Sequence, residues 1–117
     1  MTNYPGSPIL EIEARQDPTT YYVKVSGELD LASADALAEA ISRAEETDAS
    51  SIVVDLEDLE FIDSTGLGIL LTAARRSAVN GDRIRFTRGR GSVAEILRLT
   101  MIDEMLPYAQ VVRRVGR

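Results

Sequence analysis

The apolar positions of this chain switch between a period of two and a helical period, and each switch coincides with a turn signal. ILEIEAR sets Ile9 (or Leu10) and Ile12 among acids, and QDPTT supplies a turn. YYVKVSGELD then alternates Tyr21, Val23 and Val25 with Tyr22, Lys24 and Ser26. Successive strand side chains point to opposite faces, so this pattern predicts a hairpin of strands over 9–15 and 21–27. After Asp30 the period changes: Ala34, Leu37, Ala38, Ile41 and Ala44 share one helical face, with Ser33 as the expected N-cap and an end near Glu46. SIVVDL is a short continuous apolar run, the pattern of a central strand covered on both faces in a parallel sheet. Leu67, Leu70, Leu71, Ala74 and Ala78 return to helical spacing in a second helix that stops at Asn80-Gly81. RIRFTR predicts a strand over 83–87. Ser92 and Glu95 stand at capping-box spacing before the apolar face of a third helix, Val93, Ile96 and Leu97. A further helical turn is expected within Met101–Leu106 and an edge strand over 108–112.

The predicted order is ββαβαβα. Strands that alternate with helices after an opening hairpin imply an α/β fold with a small, mostly parallel sheet, an N-terminal antiparallel pair and flanking helices. The chain has 117 residues, which suits a single domain over 9–112, between a flexible leader at 1–8 and a basic tail at 113–117. With 44% hydrophobic and 27% charged residues it has the composition of a folded globular protein. No run is apolar enough for a membrane span and MTNYPGSPI lacks the features of a signal peptide, so the expected location is cytoplasmic.

Charge and residue usage narrow the chemistry. There is no cysteine and no histidine, which excludes disulfides, the common zinc sites and imidazole-based catalysis; no metal or cofactor is expected. A net charge of −6 opposes binding to nucleic acid. Asp55, Glu57, Asp58, Glu60 and Asp63 crowd one stretch, and Arg75, Arg76, Arg83, Arg85, Arg88, Arg90 and Arg98 follow, which reads as two solvated faces of opposite sign.

In such folds binding sites lie beyond the carboxyl ends of parallel strands, and FIDSTGLG and GELDLAS occupy such loops. On its residues alone, FIDSTGLG suits a helix cap, with Gly66 and Gly68 either easing packing or letting another surface approach the backbone. A phosphate-binding loop is disfavoured, because GLG is not GxGxxG and the P-loop lysine is missing. A nucleophilic serine would have only carboxylates such as Asp30 or Asp63 for a base. A regulatory phosphoryl acceptor asks only for an exposed hydroxyl, since a kinase supplies nucleotide, metal and base. A phosphoryl group there adds about −1.5 to −2 charges where the helix dipole tolerates an anion, beside an acidic stretch where a partner would not.

Taken together, VSGELDLASADAL, SIVVDLEDLEFIDSTGLGILL and an Arg-containing helix ending in NGD closely resemble the STAS domain of bacterial anti-sigma factor antagonists. The resemblance runs from about Glu11 to Leu106 and implies a non-enzymatic regulator. It implies that Ser64 is the phosphorylation site and that Asp30 lies near it. Asp30, Asp63, Thr65, Gly66 and Gly68 would form the partner-binding surface, with Thr65 a secondary acceptor at most. The implied partners are an anti-sigma factor that is itself an ATP-dependent serine kinase, bound by the unphosphorylated protein so that the sigma factor is released, and a phosphoserine phosphatase that reverses the modification. A STAS scaffold or sensor subunit without a phosphorylation cycle is the alternative. A receiver domain fits poorly, since Lys24 is the only lysine and the first strand enters a hairpin. The sequence departs from the family's L-T-G-(L/I) at Leu99-Thr100-Met101-Ile102, with methionine in place of glycine.

Overall fold

The computed structural model describes residues 9–109. Strands β1 (Leu10–Gln16), β2 (Thr20–Leu29), β3 (Ser51–Ile62) and β4 (Ile84–Phe86) form one sheet in the order β1-β2-β3-β4. The pair β1–β2 is antiparallel, and β2–β3 and β3–β4 are parallel. Helices α1 (Ala34–Glu45), α2 (Ser64–Val79) and α3 (Gly91–Leu99) and a 3-10 turn at Ile102–Glu104 complete the order expected from the periodicity. Buried alternate residues of the strands, among them Val23, Val25, Ile52, Val54, Leu56 and Phe86, join Leu37 and Ile41 of α1, Leu70 of α2 and Val93 and Leu97 of α3 in one core.

The central strand differs from its sequence reading in two ways. It is buried on one face only: Ile52, Val54 and Leu56 are inside, while Val53 and Asp55 are half-buried on the open face beside β2 residues Tyr22 and Lys24. A valine on that face makes the run look continuous. The strand also extends through the acids to Ile62, because register shifts against β2, between Lys24 and Ser26 and between Gly27 and Glu28, break the two-residue period.

The expected capping box is not formed. α3 begins at Gly91 after an extended Arg90, so Ser92 lies inside the helix, where its hydroxyl donates to the Glu60 carbonyl at 3.3 Å. Several arginines of the basic stretch are also engaged by other groups. The Arg83 guanidinium donates to the carbonyls of Glu45, Thr47 and Ala49, Arg76 pairs with Glu45 at 2.9 Å, and Arg90 pairs with Asp58 at 3.3 Å. Beyond the 3-10 turn, Tyr108 bridges in parallel to Phe86, its hydroxyl donates to Asp103 at 2.6 Å, and Arg88 stacks on its ring. This bridge lies where the edge strand is expected to begin. Residues 110–112 of that strand, the leader and the basic tail lie outside the described residues.

Met101, where the resemblance leads one to expect glycine, has φ of 65°, and its N–H donates to the Arg98 carbonyl at 3.1 Å, closing α3 with a left-handed residue. The left-handed region costs an L-residue about 1–2 kcal/mol, partly offset by the greater chain entropy glycine loses on folding. Met101→Gly is therefore expected to raise stability by about 0.5–1 kcal/mol, read as a rise of a few degrees in Tm. A fall in Tm would mean that the methionine side chain, 56% exposed, holds the turn by contacts of its own.

Candidate functional site

β2 and β3 run parallel and end together, with Leu29 registered against Ile62. Their exits, Asp30–Ser33 into α1 and Asp63 into α2, are consequently neighbours, and Asp63 binds them to each other. Its N–H donates to the Leu29 carbonyl at 3.1 Å, its Oδ2 accepts the Leu31 N–H at 3.1 Å, and its Oδ1 caps α2 by accepting the Gly66 N–H at 3.0 Å. One carboxylate thus serves a helix N-terminus and a loop from the adjacent strand.

Asp30 orders the other loop. Its Oδ1 accepts from the backbone N–H of Ala32 at 3.0 Å and of Ser33 at 3.2 Å. The Ser33 hydroxyl donates to the Glu28 carbonyl at 2.9 Å and accepts the Asp30 N–H at 3.0 Å, so Ser33 precedes α1 as expected but closes the loop and does not cap the helix with its side chain. Leu31 is held between these two sets of hydrogen bonds with its side chain 76% exposed.

Ser64 is the first residue of α2 and is exposed, and among the described residues no group engages its hydroxyl. Thr65 is half-buried and lines a groove of about 190 Å³ between α1 and α2, together with Ala38, Gly68, Ile69 and Thr72. The two glycines differ. Gly66 is buried, and a Cβ there would stand 2.7 Å from Leu29 Cγ and 2.9 Å from Ile62 Cγ1, so its missing side chain serves packing against the strand ends and is closed to an approaching surface. Gly68 is exposed, with nothing within 4 Å of the same position. Leu67 belongs to the core.

The surroundings are acidic. Between Glu28 and Ser42, and between Ser51 and Ala74, the chain has no lysine or arginine, while Glu28, Asp30, Asp35, Glu57, Glu60 and Asp63 lie within those stretches. Asp58 is offset by Lys24 at 3.1 Å and by Arg90, and its hydrogen bond and charge hold the Lys24 ammonium above its ordinary pKa. Two features were not singled out from the sequence, the dual use of Asp63 and the outward Leu31. An apolar residue between Asp30 and Ala32, off the face of the following helix, was the available signal for the second.

Asp63→Ala is expected to destabilise the protein by about 1 kcal/mol through loss of the cap. Asp63→Asn can keep the cap through Oδ1 but presents an amide nitrogen, a donor, where the Leu31 N–H needs an acceptor. Hydrogen exchange should then show faster exchange of the Leu31 amide in both variants, with near-normal stability only in Asp63→Asn. Unchanged exchange in both would mean that the loop does not depend on Asp63.

The four-stranded mixed sheet with its flanking helices is a SpoIIAA-like α/β fold. The chain belongs to the STAS domain family, whose model matches residues 11–115. It is 26% identical over 97 residues to an anti-sigma-B factor antagonist of Staphylococcus aureus, covering 83% of this chain and 90% of that one. The crystal structure of an anti-sigma factor antagonist from Mycobacterium paratuberculosis superposes with a TM-score of 0.76 at 26% identity, covering 95% of this chain and 92% of the other. The antagonist SpoIIAA in its unphosphorylated form gives 0.68 at 20% identity over 86% and 89%. Its phosphorylated form from Bacillus gives 0.60 at 22% over 86% and 92%. Among the described residues no helix is long and apolar enough to cross a membrane.

Proposed function

We propose that this protein is an anti-sigma factor antagonist switched by phosphorylation of Ser64. Unphosphorylated, it binds an anti-sigma factor that is also a serine kinase, and the sigma factor is released; phosphorylated, it lets go, and a phosphoserine phosphatase resets it. The observation that carries this reading is the exposed, unengaged hydroxyl of Ser64 at the first position of α2, directly after a capping aspartate. The first backbone N–H groups of a helix have no intrahelical partner and carry partial positive charge, so the fold can accept a phosphoryl group there. The kinase transfers the γ-phosphoryl group of ATP to Ser64 Oγ, with ADP as leaving group and the hydroxyl proton passing to the kinase's base. Asp30 and Asp63 shape the two loops that flank the acceptor, and Gly68 leaves room beside it. The relatives named above are themselves anti-sigma factor antagonists, one of them known in a phosphorylated form, which supports the reading.

The test is incubation of the purified protein with each candidate anti-sigma kinase of the same genome and ATP, followed by mass spectrometry. A single phosphate on Ser64 is expected. Labelling confined to another residue, or none with any candidate, would overturn the reading.

A further inference from the structure

The side chain of Leu31 lies outside the core. The residue is 76% exposed, yet its backbone and that of its neighbours are hydrogen-bonded in place. Its N–H is held by Asp63 Oδ2, the residues on either side are fixed by the Asp30 carboxylate and the Ser33 hydroxyl, and the Leu29 carbonyl is tied to the Asp63 N–H. The side chain therefore projects from a loop coupled to the residue that caps the Ser64 helix. A partner that binds it loses little loop entropy on association, the condition under which one apolar side chain becomes an anchor. Val79, equally exposed at 80%, offers a contrast: it is the last residue of α2, beyond these two loops.

We infer that Leu31 is the apolar anchor for the anti-sigma partner, which receives it in an apolar pocket rimmed by lysine or arginine. The inference rests on the function proposed above. Charge selects the occupant: the two loops, the end of β2 and the first turn of α1 carry Glu28, Asp30, Asp35 and Asp63 and no basic residue, so a complementary surface is cationic around its apolar centre. A second copy of this chain would bring the same acids against these and be repelled. Leu31 supplies affinity by burial, the acids supply register and rate of encounter, and Ser64 lies within the same footprint, where a phosphoryl group is added while the partner is seated.

The experiment is a calorimetric titration, without ATP, of the anti-sigma factor that labels Ser64 fastest in the screen above. Leu31→Ala is expected to weaken binding at least tenfold, Leu31→Met to bind within about threefold of wild type, and Val79→Ala to be indistinguishable from it. Raising the salt should weaken wild type and Leu31→Ala by the same factor, since the alanine removes apolar area and no charge. Leu31→Ala binding within twofold of wild type would overturn the proposal and leave the Ser64 switch standing. A dimer seen by sedimentation for wild type and lost in Leu31→Ala would overturn it too, by assigning the residue to a contact between copies. If no candidate binds the wild-type protein, the functional reading itself fails, and the anchor with it.

Discussion

Ser64→Ala is expected to abolish phosphoryl incorporation while changing affinity for the anti-sigma partner by no more than about twofold, since removing an exposed, unengaged hydroxyl disturbs little. Ser64→Asp is expected to fold with wild-type stability and to bind about 10- to 100-fold more weakly. The two responses separate because the same charge meets two environments. Within the folded chain it stands at the first helical position, where the macrodipole favours an anion by about 0.3–1 kcal/mol. In the complex it must be desolvated next to Asp63, whose two carboxylate oxygens are already committed to the Gly66 and Leu31 N–H groups and cannot turn away without releasing a cap or a loop. An uncompensated polar or charged group in an interface costs about 1–3 kcal/mol or more, which is the stated loss of affinity. Phosphoserine carries about −1.5 to −2 charges and should lie beyond the upper end of that range. Thermal denaturation together with calorimetric titration reads both quantities on the same sample. A Ser64→Asp protein that binds as tightly as wild type would remove the electrostatic basis of the switch.

The order of elements was legible because each change of period fell on a turn, at QDPTT, at Asp30, at TDAS and at Asn80-Gly81, and so placed GELDLAS and FIDSTGLG beyond the carboxyl ends of parallel strands. What stayed hidden depends on contacts between distant segments. The acids from Glu57 to Glu60 fall beyond the run SIVVDL that marks the strand in the sequence, since the register shifts against β2 destroy the alternation there. Ser92 and Glu95 satisfy a capping box by spacing, but Gly91 takes a φ of 58° and starts the helix two residues earlier, which leaves Ser92 to bind the Glu60 carbonyl. The basic stretch is only partly separate from the acidic one; in space Arg90 returns to Asp58 and Arg83 is spent on carbonyls at and just beyond the end of α1. The site showed the same division. The exposed place of Ser64 follows from local chemistry, a capping aspartate followed by the first helical residue. The difference between Gly66 and Gly68 follows from Leu29 and Ile62 and cannot be read from GLG.

That difference sets up opposite outcomes for two identical substitutions. At Gly66 an added methyl group would stand under 3 Å from the side chains of Leu29 and Ile62, both of them fully buried and hemmed in by the core. Overpacking of this kind costs about 3 kcal/mol at the upper end of its range, against which alanine gains about 1 kcal/mol in helix propensity, so Gly66→Ala should lose about 2 kcal/mol, or roughly 8 °C in Tm. At Gly68 the methyl group meets open space, and the same propensity gain stands alone: Gly68→Ala should be more stable by up to about 1 kcal/mol. Affinity for the anti-sigma partner should move the other way. Gly66 is sealed from the surface, so the folded Gly66→Ala protein keeps its binding apart from any shift of the helix start. Gly68 is the space beside Ser64 that a partner's backbone would fill, and its alanine variant should bind several-fold more weakly while melting at a higher temperature. Stability and binding measured together on both variants test this crossing directly; a Gly68→Ala protein that gains stability and binds normally would show that the partner does not come close to this turn of α2.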